Sequence, residues 1–176
     1  PSSSVTRFTW SAQPAMIFED GLVVSRQQLL ERVERFAGYL AARTTLGERI
    51  AVMLETRAES MIAQLAAIAA SRVVVPINPT SKAHDAGHIL RDSGAVIAIV
   101  SAENNDLIEG LKAGLPSLRE IVALREREPD GLAAYDATAE CVRLADCRAT
   151  RSDIATIHYT SGTTGAPKGV VYTHRA

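Results

Sequence analysis

The sequence predicts an α/β fold in which helices flank a parallel sheet, and three observations support this. Short apolar runs alternate with helical patterns, the order typical of βαβ units with right-handed crossovers. The 176 residues, 47% hydrophobic and 22% charged, are enough to bury one core and indicate a single domain. The 19 basic and 20 acidic residues are interspersed, which argues against a nucleic-acid or membrane-surface protein, since either would need a basic patch.

The first predicted elements are a hairpin and a capped helix. Residues 15–24 are expected to form two short strands joined at Asp20-Gly21, because this dipeptide tolerates the positive φ of a tight turn. Ser25 and Gln28 have the spacing of a capping box. Apolar residues then recur at helical spacing over residues 29–40, so a helix is expected to begin directly after the cap.

Strands and helices alternate after this helix. The run from Ile50 to Leu54 is apolar throughout, which is typical of a strand covered on both faces. Gly94 marks the end of a later helix, because glycine commonly follows a helix C-terminus. The elements are expected at 50–54 (strand), 61–70 (helix), 73–75 (strand), 81–92 (helix) and 96–100 (strand).

The second half of the chain has weaker patterns. Residues 125–134 are charged and broken by proline and glycine, which favours a surface loop, and only a short element near Cys141 is predicted within 137–151. Beyond this region a strand pattern returns, and a glycine-rich segment follows it directly. The remaining elements are expected at 107–115 (helix), 120–124 (strand), 153–159 (strand) and 169–172 (strand).

The segment Tyr159–Gly169, YTSGTTGAPKG, concentrates groups that bind phosphate. From Thr160 onward it holds three glycines, four hydroxyls and one ammonium, and phosphate oxygens need donors of these kinds. It is not a Walker loop, because Pro167 precedes Lys168 and Gly169 follows it, where that motif has glycine and a hydroxyl residue. A flexible linker is the plainer alternative, but a linker has no need of the Pro-Lys-Gly ending.

Other residues have simpler interpretations. His84 and His88 have metal-ligand spacing on one helix, but no third ligand is evident, so a solvated or partly buried helix face is expected. Cys141 and Cys147 lack a second pair to complete a zinc site and are interpreted as ordinary thiols. Neither a targeting segment nor a membrane-spanning stretch is found, so a cytoplasmic location is expected.

YTSGTTGAPKG resembles the signature of the adenylate-forming superfamily, which comprises acyl- and aryl-CoA synthetases, luciferases and peptide-synthetase adenylation domains. These enzymes join a carboxylate to the α-phosphate of ATP, release pyrophosphate and pass the acyl group to a thiol. Six further segments fit the same family, at 21–25, 48–52, 75–80, 89–95, 152–156 and 173–175. The resemblance implies that residues 1–176 form the N-terminal subdomain of the large domain of such an enzyme.

The resemblance also implies a site for the β- and γ-phosphates of ATP, with Thr160 nearest to Mg²⁺. No catalytic residue is assigned within the chain, because the family's adenine segment, ribose aspartate, acidic metal ligand and catalytic lysine follow this loop. The isolated chain is therefore expected to be inactive. The implied ATP-binding residues are Thr160, Ser161, Gly162, Thr163, Thr164, Gly165 and Lys168.

Thr163 and the downstream YTHRA at 172–176 favour the acyl-CoA synthetase branch, particularly the fatty-acyl type. A carboxylic acid, with a fatty acid favoured, ATP and CoA are thus the expected partners. Two alternatives stay open: a peptide-synthetase adenylation domain, and an inert fragment or pseudo-enzyme acting as a binding module. One departure concerns Ser71-Arg72, where the family usually has glycine and small residues; it bears on local geometry alone.

Overall fold

The computed structural model describes residues 12–18, 21, 23–124, 147–160 and 166–175. It begins with strands β1 (Pro14–Ile17) and β2 (Val23–Ser25), which pair antiparallel and confirm the predicted hairpin. Gly21 has a φ of 85°, which a residue without a Cβ adopts at little cost. Trp10, Asp20, Cys141 and the predicted surface loop at 125–134 lie outside the described residues.

Helix α1 (Arg26–Arg43) begins at the predicted capping box. The Ser25 hydroxyl accepts a hydrogen bond from the Gln28 amide at 3.2 Å, and the Ser25 amide donates to the Gln28 side chain at 2.9 Å. Both bonds satisfy amides that have no partner inside the helix. One apolar face of α1 is buried, and it includes Phe36 and Leu40.

The remaining elements build a three-layer α/β fold. These elements are β3 (Arg49–Met53), α2 (Ala58–Ala69), β4 (Val73–Pro76), α3 (Ala83–Ser93), β5 (Ile97–Ser101), α4 (Ala102–Leu111), β6 (Glu120–Leu124), β7 (Ile154–Thr160) and β8 (Lys168–Thr173). The strands form a six-stranded sheet in the order β6-β5-β3-β4-β7-β8, in which the first five strands of that order are parallel and β8 runs antiparallel to β7. The predicted fold class is confirmed.

Apolar side chains fill both faces of the sheet, because alternate residues of a strand point to opposite sides. In β3, Ile50 and Val52 join the cluster under α1 and α2, whereas Ala51 and Met53 join the cluster under α3 and α4. A strand covered on both faces needs apolar residues throughout, which explains the continuous run in the sequence. Within the described residues, no helix has both the length and the apolar character needed to cross a bilayer.

Two helices begin earlier than the sequence predicts. Helix α2 starts at Ala58 rather than residue 61, and its N-cap, Arg57, makes no side-chain cap bond that the sequence could have shown. Helix α4 starts at Ala102 rather than residue 107, because the Ser101 hydroxyl accepts a hydrogen bond from the Asn104 amide at 3.3 Å. Strand β5 therefore passes directly into α4.

The turn at Ser71-Arg72 joins α2 to β4 through an unusual set of contacts. Ser71 has a φ of 58°, a left-handed conformation that is costly for a residue with a Cβ. Its hydroxyl accepts hydrogen bonds from the amides of Arg148 and Ala149 at 2.9 and 3.1 Å. These bonds tie the turn to the segment that leads into β7, so a serine here has a contact that glycine could not make.

Outside the sheet, Glu48 and Arg119 form a two-pronged ion pair. The Glu48 oxygens accept hydrogen bonds from the two terminal nitrogens of Arg119 at 2.9 and 2.8 Å, and one oxygen also accepts from the Thr45 amide at 2.8 Å. The hydrogen bond from Arg119 is the main cause that lowers the pKa of Glu48 to about 2, against the opposing effect of burial. The pair links the start of β3 to the start of β6.

We expect Glu48→Gln to lower the free energy of unfolding by about 1 kcal/mol near pH 7, a figure discounted for solvent screening of this surface pair. Because the folded pKa lies below the ordinary value of 4.5, the contribution is complete above that value and is lost as the pH falls towards 2. Urea denaturation of both proteins across this pH range measures the difference. A difference that stayed constant with pH would contradict the assignment.

Candidate functional site

The glycine-rich loop leaves the sheet at the carboxyl end of β7. This strand lies parallel to β4, with Thr156 opposite Val74 and the Thr156 hydroxyl donating to the Val74 carbonyl at 2.9 Å. In open α/β sheets, ligands bind in the crevice at the carboxyl ends of the strands. The fold therefore places Thr160, where the loop begins, at the carboxyl ends of the strands, where a ligand site is expected.

The β7–β8 hairpin brings together two of the predicted phosphate-binding residues. Thr160, the last residue of β7, lies directly opposite Lys168, the first residue of β8. Such cross-strand neighbours have Cβ atoms about 5 Å apart, close enough to contact one small anionic group together. Both side chains are exposed. The other five predicted residues, Ser161–Gly165, lie outside the described residues.

The electrostatics of the hairpin favour an anion. No ion pair joins Lys168 to a carboxylate within the described ranges, so its ammonium is available to a ligand. An exposed lysine is a point charge with three donors, which suits terminal phosphate oxygens. Among the same residues, no group of three His, Cys, Asp or Glu side chains could hold a metal ion. A metal held by the Thr160 hydroxyl would need further ligands from phosphate oxygens or from residues elsewhere.

The Tyr159 side chain packs across the hairpin onto Gly169. A Cβ added at Gly169 would lie 2.9 Å from Ile157 Cγ2 and 3.1 Å from Tyr159 Cζ, so a larger residue would crowd both side chains. The Tyr159 hydroxyl donates to the Asp92 carboxylate of α3 at 2.6 Å. Burial and this neighbouring carboxylate raise the pKa of Tyr159, so its hydroxyl keeps the proton that it donates.

We expect Gly169→Ala to lower the free energy of unfolding by about 1–3 kcal/mol, because the added methyl overpacks the contact with Ile157 and Tyr159. Urea denaturation measures the loss. Gly110→Ala is a matched control, since Gly110 is an exposed residue of α4 with nothing within 4 Å of an added Cβ. The control is expected to raise stability by about 0.5–1 kcal/mol through helix propensity. Equal effects at the two positions would contradict the close packing.

The contact that His88 makes was not predicted from the sequence. This residue is half-buried on α3, and its Nε2 donates to the Pro167 carbonyl at 2.8 Å. The contact joins residues 79 apart in the chain, and local patterns contain no signal for it. The Tyr159–Asp92 bond, which spans 67 residues, was missed for the same reason.

His84 and Cys147 behave as the sequence predicts, and His158 has a packing contact. His84 is exposed and contacts Asp85 at 3.2 Å, which fits a solvated helix face. His158 packs its ring edge against Tyr172, with 5.6 Å between the ring centroids. The Cys147 thiol donates to the Ile68 carbonyl at 3.6 Å, which is ordinary behaviour for a thiol.

Comparison with known proteins gives one consistent result. The family model described as AMP-binding enzyme matches residues 7–176. The long-chain-fatty-acid–CoA ligase FadD15 of Mycobacterium bovis is 34% identical over 75% of this chain and 23% of its own length. The phosphinothricin tripeptide synthetase PhsB of Streptomyces viridochromogenes is 31% identical over 91% of this chain and 13% of its own.

A solved structure shares the fold. The anthranilate CoA ligase AuaEII, in complex with anthranoyl-AMP, superposes with a TM-score of 0.83 at 26% identity, over 94% of this chain and 32% of that chain. The chain thus spans about a quarter of the length of FadD15 and about a third of AuaEII.

Proposed function

Because this chain belongs to the AMP-binding enzyme family, we propose that it is the N-terminal portion of an ATP-dependent acyl-CoA synthetase. The observation that carries the proposal is the placement of Thr160 opposite Lys168 at the carboxyl edge of the sheet. This arrangement presents a hydroxyl and a free ammonium to one ligand. It fits the polyphosphate of ATP better than any uncharged substrate.

The reaction we propose begins when a substrate carboxylate oxygen attacks the α-phosphorus of ATP. A new C–O–P linkage forms, the bond between the α-phosphorus and the bridging oxygen breaks, and pyrophosphate leaves with the bonding electrons. Lys168 and the hydroxyl of Thr160 stabilise the charge that develops on the leaving group. In the second half-reaction a thiol replaces AMP on the acyl carbon.

The remaining predicted loop residues belong to the same proposal. Backbone amides and hydroxyls of a glycine-rich turn form a nest that surrounds phosphate oxygens. Mg²⁺, when bound, would neutralise part of the phosphate charge, and Thr160 is the residue that we propose lies nearest to it. The residues proposed to hold the β- and γ-phosphates are Thr160, Ser161, Gly162, Thr163, Thr164, Gly165 and Lys168.

A fatty acid as substrate and CoA as acceptor form the finer part of the proposal. Similarity to FadD15, whose name gives it as a long-chain-fatty-acid–CoA ligase, supports this choice. Similarity to the peptide synthetase PhsB supports the second candidate, an adenylation domain that loads a carrier protein. The two functions share the first half-reaction and differ in the acceptor thiol.

The test is acid-dependent exchange of pyrophosphate into ATP by the protein expressed from the complete reading frame that contains this chain. We expect exchange with long-chain fatty acids and, on addition of CoA, release of AMP and formation of a thioester. Exchange with amino or aryl acids and transfer to a phosphopantetheinyl carrier protein would favour the second candidate. If no class of acid supported exchange, the proposal would be contradicted. The remaining alternative would then be an inert fragment or pseudo-enzyme that acts as a binding module.

We also propose that residues 1–176 act as a subdomain and have no activity when expressed alone. In the family, the residues that bind adenine and ribose follow this loop, and a phosphate grip without them supplies only part of the binding energy. We expect no pyrophosphate exchange by the isolated chain and weak binding of Mg²⁺-ATP by calorimetry. Turnover by the isolated chain would contradict this division of the enzyme.

A further inference from the structure

One helix contacts both stems of the glycine-rich loop. The entering stem ends at Tyr159 and Thr160, and the leaving stem begins with Pro167 and Lys168. Helix α3 binds the first through Asp92, which accepts from the Tyr159 hydroxyl, and the second through His88, which donates to the Pro167 carbonyl. Each contact is made one residue before a proposed phosphate ligand.

The two contacts have a common origin in the geometry of α3. His88 and Asp92 are four residues apart, so they lie on the same side of the helix, one turn apart. The opposite side of α3 is fixed in the core, where Ala86, Ile89 and Leu90 are buried. Because the core holds α3 in place, the side chains of His88 and Asp92 lie at a fixed spacing beside the two stems.

The rings at the contact also pack together. The His88 and Tyr159 rings meet edge to face, with 6.4 Å between centroids and 90° between planes. The Tyr159 ring also packs against Gly169, which has no Cβ to displace it. Because a backbone carbonyl can only accept, His88 Nε2 carries a hydrogen, whichever charge state the ring has.

From these contacts we infer that His88 and Asp92 are positioning residues for the phosphate site. They fix the separation and direction of the two stems, and hence of Thr160 and Lys168, before ATP arrives. Stems that are fixed in advance have less conformational entropy to lose on binding, so affinity for the polyphosphate rises without any new contact to it. The inference rests on the proposed function of the loop.

The kinetic test uses the enzyme from the complete reading frame. We expect His88→Met to raise KM for Mg²⁺-ATP about fivefold, the effect of one lost hydrogen bond, and to leave KM for the carboxylic acid unchanged. His88→Gln keeps a donor near the Nε2 position and is expected to stay within about twofold of the unchanged enzyme. His84→Met is the matched control, because His84 is exposed on the same helix and contacts Asp85.

The inference is overturned if His88→Met leaves KM for Mg²⁺-ATP unchanged or raises KM equally for both substrates. It is also overturned if the His88→Gln enzyme is as impaired as His88→Met. A parallel fall in melting temperature and kcat with no selective change in KM would likewise show that His88 is merely structural. In each case the unchanged enzyme still exchanges pyrophosphate, so the proposed function stands while the inference fails.

If the wild-type enzyme shows no pyrophosphate exchange, the proposed function fails. A second measurement then tests the positioning role of His88 by itself. Amide resonances of the 176-residue chain are recorded with and without Mg²⁺-tripolyphosphate. We expect His88→Met, but not His84→Met, to shift the amides of Thr160 and Lys168 and to weaken the response of both to tripolyphosphate. Unshifted amides and an unchanged response in His88→Met would overturn the positioning role.

Discussion

Lys168→Met in the complete protein is expected to slow acid-dependent pyrophosphate exchange about 100- to 1,000-fold, the usual loss when one preorganised charge is removed from a developing anion. The leaving pyrophosphate gains negative charge in the transition state, and Lys168 is the cation that the hairpin places opposite Thr160. Methionine keeps a similar length and flexibility, so the change removes the charge with little change in shape. Steady-state exchange kinetics at saturating acid measure the effect.

Lys112→Met serves as the matched control for this prediction. Lys112 lies in the 3₁₀ turn Lys112–Gly114 between α4 and β6, and β6 is at the opposite end of the sheet from the β7–β8 hairpin. We expect the control to retain exchange within about twofold of the unchanged protein. A Lys168→Met protein that matched the control would show that the ammonium does not contact the phosphates.

Arg72→Met is expected to lower the free energy of unfolding by about 2–4 kcal/mol, the cost of leaving buried acceptors without a donor. Arg72 is only 4% exposed. Its guanidinium donates to the Thr44 hydroxyl at 2.6 Å, to the Thr44 carbonyl at 2.5 Å and to the Ala70 carbonyl. Thr44 and Ala70 are the C-cap residues of α1 and α2, where backbone carbonyls have no partner inside the helix. A cation at this position also offsets the negative ends of the two helix dipoles.

Urea denaturation of Arg72→Met measures this loss as a lower midpoint with an unchanged m-value. Burial lowers the pKa of the Arg72 guanidinium, but an arginine keeps its proton, so the interaction should persist across ordinary pH. Arg151→Met, at an exposed turn, is expected to change stability by less than about 0.5 kcal/mol. An Arg72→Met protein as stable as this control would contradict the bridging role.

Local features of the sequence predicted much of the fold. The Ser25 cap, the apolar run at 50–54 and the strand at 120–124 depend on residues near one another in the chain, and the structure has each of them. The early start of α4 was missed because Ser101 is both the last residue of β5 and a cap, and a buried strand gave the stronger local pattern.

The site could be predicted only in part, for a physical reason. Thr160 and Lys168 could be proposed as phosphate ligands from the sequence because the residue types a phosphate requires lie within one short segment. His88 and Asp92 were missed because their contacts depend on where α3 lies against β7, which is determined by packing across the sheet. Gly169 was recognised as part of a motif, whereas its need to accommodate the Tyr159 ring emerged from the cross-strand register.

The most direct test of the proposed chemistry is the identity of the products of ATP. The protein from the complete reading frame is incubated with Mg²⁺-ATP and a long-chain fatty acid, and the nucleotide and phosphate products are separated and quantified. We expect AMP and pyrophosphate in equal amounts, formed only when the acid is present, with hydroxylamine trapping the acyl-adenylate. Formation of ADP and inorganic phosphate instead would show attack at the γ-phosphorus and contradict an adenylate-forming reaction.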